Sequence, residues 1–328
     1  MTSTFPGQAR LPRLLRRGVP LLLASWALAG TSSAMELRVE ASSAQCGVHA
    51  PAPPAPPAAA RQRLPQSQAV QGQKDILWAW LGSPTARYPH AALGSPVHAA
   101  SLHVLVSGAS GAAQELVYHL PLHRVFEDRV PRLADLDADG RDEIILVEAD
   151  ALRGAAVVVF GLRASPQPRA ATDADSGRTL SEVARSPYAG ATFRWLNPVG
   201  VADFDGDGKP DIASVTTPHV GGVLTLYHFR PPRLEAYARA MDVSNHRMGA
   251  LEQQLAVTVE QPGSRPAMVV PDMQLAALHA LRWDAPGQWT ELADPKPLPA
   301  RVERLTPLAG GGCLLLADAS WWRVTLMP

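Results

Sequence analysis

The residues best suited to chemistry are aspartates packed closely together. The stretch "DFDGDGKPD" runs from Asp203 to Asp211 and carries acids at alternate positions, then a glycine, then a last acid. Like charges at this spacing repel one another unless a cation lies among them. Alternate residues of a curving loop point inward, and glycine permits the positive φ that such a turn needs. The stretch therefore predicts an oxygen cage for a hard cation, and calcium fits it better than magnesium does.

The same pattern occurs a second time in the chain. "PRLADLDADGRDEIILVEA" from Pro131 aligns without a gap with "VGVADFDGDGKPDIASVTT" from Val199. Glu143 falls on Asp211, so the closing carboxylate changes type but keeps its place. A solvated Asp-Gly turn would not be expected to repeat with one spacing. The repeat therefore indicates two ion sites in equivalent units of a repeat fold.

An EF-hand loop is the main alternative for these two stretches. Its twelfth position is a bidentate glutamate, and a helix follows it. Here the twelfth residues are Leu146 and Ser214, and strand-forming residues follow both stretches. The sequence therefore argues against an EF-hand, and the ninth position, Glu143 or Asp211, closes each cage.

Both loops resemble the calcium loops of FG-GAP/VCBS-type repeats, which are found in the propeller of integrin α-subunits and in many secreted bacterial proteins. Residues 125–250 are also similar to a group of exported bacterial repeat proteins through "FEDRVPRLADLD", "TPHVGGVLTLY" and "SNHRMG". The resemblance implies ions that are mainly structural. Carried over by position, it implies these ligands, with Arg141 and Lys209 acting through their backbone carbonyls: Asp135, Asp137, Asp139, Arg141 and Glu143, then Asp203, Asp205, Asp207, Lys209 and Asp211.

Short apolar runs surround these loops and must position them. They are rich in β-branched and aromatic residues and are separated by Gly, Pro and Asp, as in "SLHVLVSG", "EIILVEA", "AAVVVFGL" and "VLTLYHF". "LEAYARAM" from Leu234 is open between a short helix and a strand with a turn. We expect an all-β fold, and the repeats predict a β-propeller of FG-GAP/VCBS-type repeats with roughly five blades, in a range of four to seven.

The chain divides by composition into three segments. Residues 1–34 combine arginines, an apolar run and "SSA", which predicts a signal peptide and export to the periplasm or outside; an uncleaved anchor is the alternative. Residues 35–73 include "APAPPAPPAAA" and predict a disordered Pro/Ala-rich leader. Residues 74–328 are the predicted propeller domain. We expect no transmembrane span after cleavage.

The full chain has no net formal charge, and the signal segment carries four arginines and no acid. The exported chain would then be slightly acidic, which argues against a nucleic-acid partner. The two cysteines, Cys46 and Cys313, could form a disulfide in an oxidising compartment, stay free or bridge two molecules.

Motifs for catalysis are absent from the sequence: it has no nucleophile elbow, phosphate loop or clustered zinc ligands. Two stretches, "FRWLNP" and "SNHRMG", could line a ligand surface on one face of a propeller, although packing and turn capping are the alternative. We expect a calcium-binding module that interacts with an unknown protein or glycan. The residue patterns favour a protein without enzymatic activity but leave an enzyme open. A propeller-based hydrolase or lyase and a purely structural repeat protein are the alternatives. The candidate ligand-surface residues are Arg194, Trp195, Asn197, Asn245, His246 and Arg247.

Overall fold

Strands account for nearly all the regular structure in this computed structural model, which describes residues 35–48, 54–108, 111–164, 177–284 and 287–327. Within these ranges the helical segments are two short 3-10 turns, Ala44–Gly47 and Ala58–Gln62. The prediction of an all-β fold is confirmed. The predicted signal peptide, residues 1–34, lies outside the described residues. None of the described helices is long and apolar enough to cross a membrane.

Hydrogen bonding joins the strands into three sheets of 4, 13 and 5 strands. Two single-residue pairings, one of them parallel, join the three antiparallel groups that make up the 13-stranded sheet, so there are five such groups in all. Most neighbours in a group are also neighbours in the chain. The first three groups are β2 Val70–Gln71, β3 Ile76–Thr85, β4 His98–Ser107 and β5 Ala113–His119; β6 Arg124–Phe126, β7 Arg132–Ala134, β8 Glu143–Asp150, β9 Gly154–Ala164 and β10 Arg178–Arg185; and β11 Leu196–Ala202, β12 Asp211–Thr216, β13 Val223–Arg230 and β14 Arg233–Ala240. The last two are β15 Val257–Val259, β16 Ala267–Pro271, β17 Ala277–Asp284, β18 Gln288–Glu291 and β19 Lys296–Pro297; and β20 Val302–Leu308, β21 Gly311–Leu316 and β22 Trp321–Met327 with β1 Glu36–Ser42.

Some strands lack the simple alternation of apolar and polar residues, and their burial explains why. In β8 and β9 nearly every residue is buried, as expected for strands covered on both faces. β9 is a nearly continuous apolar run, whereas β8 also buries Glu143, Glu148 and Asp150. In β5, an edge strand beside β4, exposed and half-buried residues alternate instead. All of "LEAYARAM" except its last residue lies in β14, so the strand alternative is confirmed and the helix is excluded.

The hydrophobic core lies between successive groups. One cluster joins the first and second groups through Leu102 and Phe160, and the next joins the second and third through Val157 and Ile212. Two further clusters join the third group to the fourth and the fourth to the fifth. The groups therefore pack face to face in chain order, and their connecting loops lie at the strand ends.

The prediction of a disordered leader at 35–73 is wrong for most of its length. β1 pairs with β22 over its whole length, from Glu36 opposite Met327 to Ser42 opposite Trp321. Ala60 and Leu64 are buried, and β2 belongs to the first group. The proline-rich composition of the middle of this segment does not reveal a pairing partner that lies at the far end of the chain. Residues 49–53 of the proline-rich stretch lie outside the described residues.

Candidate metal centres

The two acidic stretches occupy equivalent places in two neighbouring groups. The first acidic loop, residues 135–143, joins β7 to β8, and the second, residues 203–211, joins β11 to β12. The apolar second residue of each loop, Leu136 or Phe204, is almost fully buried and anchors the loop in the core. The remaining side chains are thereby held at the strand ends, where the acids meet.

Backbone geometry is matched between the two loops. Gly140 and Gly208 have φ values of 85° and 86°, a region that favours glycine. Their N–H groups donate to Asp135 Oδ2 (3.0 Å) and Asp203 Oδ2 (2.9 Å) respectively. The first aspartate of each loop thus fixes the turn that brings the later acids back towards it.

The second acidic loop gathers three carboxylates. Oxygen atoms of Asp203, Asp205 and Asp211 lie within 4.8 Å of one another. Asp203 Oδ1 is buried and has no hydrogen-bond partner among the described residues. Burial raises the pKa of Asp211 to about 6, although the Tyr237 hydroxyl donates to its Oδ2 at 2.7 Å. A buried oxygen without a donor beside two further carboxylates is the environment that a cation would satisfy.

The first acidic loop repeats this arrangement. Oxygen atoms of Asp135, Asp137 and Glu143 lie within 4.8 Å of one another. Glu143 is almost fully buried, and burial raises its pKa to about 7. Its Oε2 accepts a hydrogen bond from the Leu136 N–H at 2.9 Å. Burial of this closing carboxylate disfavours its charged form, and a bound cation would reverse that effect.

Two predicted ligands, Asp139 and Asp207, lie outside these two clusters of three carboxylates. Asp139 and Asp207 are exposed, and their Oδ1 atoms accept hydrogen bonds from the N–H groups of Arg141 and Lys209, each at 2.9 Å. Side-chain ligand atoms of Asp207, Asp205 and His228 form a further cluster that could hold a metal ion. Side-chain oxygens of both loops can therefore hold a metal, whereas the carbonyls of Arg141 and Lys209 stay predicted ligands.

Basic neighbours from distant strands were missed by sequence reasoning. Lys74, just before β3, places its Nζ 2.6 Å from Asp135 Oδ2. His228, on β13, places its Nε2 2.9 Å from Asp205 Oδ2. Local spacing carries no signal for either contact, because each depends on which strands pair.

The predicted ligand surface around "FRWLNP" is largely interior. Trp195 and Asn197 are buried. The Trp195 indole N–H donates to the Glu127 carbonyl at 3.0 Å, and Asn197 Nδ2 donates to the Gln253 carbonyl at 2.8 Å. The prediction is corrected for these two residues, because their polar groups connect segments of the fold. Arg194 alone of the predicted three in this stretch is exposed.

The "SNHRMG" stretch behaves in the same way. Asn245 and His246 are buried, and Asn245 Nδ2 donates to the Asn197 carbonyl at 2.9 Å. His246 Nε2 lies 3.0 Å from the Ala250 carbonyl. These two residues close the turn before β15 and are not available to a ligand. Arg247 is exposed and pairs with Glu303 at 3.3 Å.

Arg194 lines a surface cleft of about 420 Å³ together with Phe193, Val220 and Met248. The last three side chains are exposed although they are large and apolar. Arg247 does not line this cleft, so the two predicted arginines belong to separate surfaces.

The two cysteines are joined. Cys46 and Cys313 form a disulfide with an S–S distance of 2.12 Å. Cys46 follows β1 and Cys313 lies in β21, so the bond reinforces the fifth group.

Comparison with protein-family models and with curated proteins finds no match. Among solved structures, the chain is similar to the rhamnogalacturonan lyase YesW, with 13% sequence identity and a TM-score of 0.37. The match covers 66% of this chain and about half, 48%, of the lyase chain. A TM-score this low supports no argument about fold or activity.

Proposed function

We propose that this chain is an exported β-propeller of five blades in which two calcium ions hold the loops between strands, and that it acts as an interaction module. The observation that carries the calcium assignment is the second acidic loop. Three carboxylates converge there, and Asp203 Oδ1 is buried without a donor from the part of the chain that the structure describes. Hard oxygen ligands on a loop with positive-φ glycines suit calcium, which tolerates flexible geometry.

Strand order supports the propeller. Five antiparallel groups succeed one another, cores lie between successive groups, and β1 from the beginning of the described chain completes the group formed by its last strands. In a propeller this pairing would close the ring, because the first and last strands share one blade. The disulfide of Cys46 and Cys313 suits an oxidising compartment and supports export.

The cleft beside Phe193 supports an interaction role. Exposed large apolar side chains that lie together mark contact surfaces more often than isolated ones do. Phe193, Val220 and Met248 line this cleft with Arg194, which offers a cation to a polar group on the partner. A protein or glycan partner has both apolar and polar groups, and calcium would act on the scaffold at a separate place.

Calcium binding is tested by thermal unfolding and calorimetric titration of the full chain. Wild type should unfold at a higher temperature in millimolar calcium than in EDTA, because an ion that binds only the folded loops stabilises the fold; occupancy at about 100 times the dissociation constant gives about 2.7 kcal/mol per site. Asp203→Asn should remove one binding site and part of that gain.

The matched control is Asp294→Asn, which removes the same charge from an exposed position outside both loops. It should keep the full calcium response. Equal unfolding temperatures of wild type in calcium and in EDTA would contradict the proposal, as would an unchanged binding stoichiometry in Asp203→Asn.

A further inference from the structure

A chain of hydrogen-bonding side chains in the first group lies apart from both acidic loops. Ser101 Oγ is 2.8 Å from His103 Nε2, and His103 Nδ1 is 2.7 Å from Glu115 Oε1. The hydroxyl oxygens of Ser101 and Ser83 are also 2.8 Å apart. Serine, histidine and carboxylate in this order form the arrangement that activates a hydroxyl as a nucleophile.

The direction of each hydrogen bond follows from which groups carry a proton to donate. An ionised Glu115 only accepts, so His103 Nδ1 carries the ring proton. Nε2 of the neutral ring is then an acceptor, and the Ser101 hydroxyl donates to it. The Ser101 oxygen is left as the acceptor for the Ser83 hydroxyl. A proton can therefore pass from Ser83 through Ser101 to His103.

The backbone conformation near these hydrogen-bonded side chains leaves room for their contacts. A Cβ on Gly82 would lie 2.4 Å from His103 Nε2 and 3.1 Å from Ser101 Oγ, so only glycine leaves room for them. Ser83 has a φ of 51°, which breaks the alternation of β3 and lets its side chain reach Ser101, the partner of Gly82 across the strands. Positive φ at a non-glycine residue is costly and often marks a functional position.

Exposure distinguishes the two serines. Ser101 is fully buried, whereas Ser83 is exposed. A cleft of about 550 Å³ is lined by Ser83, His103 and Glu115, with Trp80 stacked on the His103 ring at 5.4 Å between centroids. The nucleophile that a substrate could reach is Ser83, and Ser101 relays its proton.

The fourth group contains a similar histidine–glutamate pair that lacks the serines. His279 Nδ1 lies 2.6 Å from Glu291 Oε1, and this pair occupies the same strand positions as His103 and Glu115. Ala277 stands where the first group has Ser101. A histidine–glutamate pair across strands is thus common to two groups, but the serine relay belongs to the first alone among these two.

We propose that Ser83, Ser101, His103 and Glu115 form a site that hydrolyses carboxylic esters. Ser83 Oγ attacks the carbonyl carbon while its proton passes through Ser101 to His103. The bond to the leaving alkoxide breaks, the alkoxide takes that proton, and the acyl group stays on Ser83. Water then attacks the acyl carbon, its proton returns to Ser83 by the same relay, and the acid leaves. This activity goes beyond the proposed function and uses no metal.

The probe for this site is an alkyl fluorophosphonate, which loses fluoride as an activated serine attacks phosphorus. The full chain is labelled in the presence of calcium, and the adduct is located by peptide mass spectrometry. Because the proposed site uses no metal, an adduct on Ser83 is expected whether or not calcium binds the acidic loops. We expect an adduct on Ser83 and none in Ser83→Ala. His103→Gln should label at least about 100-fold more slowly, since general-base catalysis contributes factors of this size. His279→Gln, the matched control, should label like wild type.

Ser101→Ala tests the relay while leaving the His103–Glu115 pair in place. It should also label more slowly, and p-nitrophenyl acetate hydrolysis should fall in parallel. Unfolding temperatures of all variants show which remain folded. If His103→Gln does not fold, the labelling rate of Ser101→Ala decides the test. Absence of a Ser83 adduct in wild type would overturn the proposal, as would equal labelling rates in wild type and a folded His103→Gln or Ser101→Ala.

Discussion

At the scale of single residues, the two acidic loops differ in the charge beside them. Lys74 contacts Asp135 at the first loop, and this contact together with the nearby acids raises the pKa of the ammonium. The second loop has His228 against Asp205 instead. A fixed ammonium repels an incoming cation and takes up one of the oxygens that would bind it, so the two loops should differ in calcium affinity.

We predict that Lys74→Met strengthens calcium binding at the first loop by roughly threefold or more, because removing a nearby positive charge lowers repulsion of the ion. Calorimetric titration is carried out in the Asp203→Asn background, in which the first loop is expected to be the remaining calcium site. Lys209→Met in the same background removes an equal charge from the other loop and should change the affinity less. Equal effects of the two lysine variants would exclude a specific role for Lys74.

At the scale of elements, β1 is the strand whose place is least expected from its neighbours in the chain. It completes the fifth group beside β22, Leu37 buries its side chain there, and Cys46 just after it is bonded to Cys313. A bond that joins residues 267 positions apart restricts the unfolded chain strongly. Holding β1 in place is therefore the structural task of this disulfide.

We predict that replacing both cysteines by alanine lowers the free energy of unfolding by about 3–5 kcal/mol. Urea unfolding in calcium measures the change. Wild type in a reductant should lose a similar amount, whereas the double variant should not respond to the reductant. Identical urea midpoints for oxidised and reduced wild type would contradict this role.

At the scale of the whole molecule, buried neutral histidines tie stability to pH. Burial lowers the pKa of His98 to about 4, and its Nε2 lies 2.9 Å from the His90 carbonyl. Burial likewise lowers the pKa values of His219 and His246, to about 4 and about 3. Unfolded histidine takes up its proton near pH 6.5. Protonation therefore favours the unfolded chain between about pH 6.5 and 4, and stability falls as pH falls through that window.

We predict that His98→Gln makes this pH dependence shallower by up to about 1.4 kcal/mol per pH unit, the value for one proton, because the amide can still donate to the carbonyl but does not titrate. Urea unfolding is followed from pH 7 to 4.5. Calcium is present because the raised pKa values of Glu143 and Asp211 give the opposite slope when these acids are free to take up protons. His119→Gln, at an exposed position, should leave the slope unchanged; an equal slope in His98→Gln would contradict the assignment.

Local sequence patterns are enough to predict the strands and the acidic loops. Apolar runs such as those of β8 and β9, turn residues such as Gly140 and Gly208, and the repeated acids are local patterns, and local backbone preferences respond to them. The spacing of Asp203, Asp205 and Asp211 predicted that they converge, and their oxygen atoms lie within 4.8 Å of one another.

Contacts between distant segments could not be predicted from these local patterns. Pairing placed β1 beside β22, brought Lys74 and His228 to the acidic loops, and buried His246, which the sequence had offered as a surface residue. The approach of Ser83 to Ser101 also required the register of β3 and β4. Register and burial arise from long-range packing, so the types and spacing of residues within one segment do not contain them.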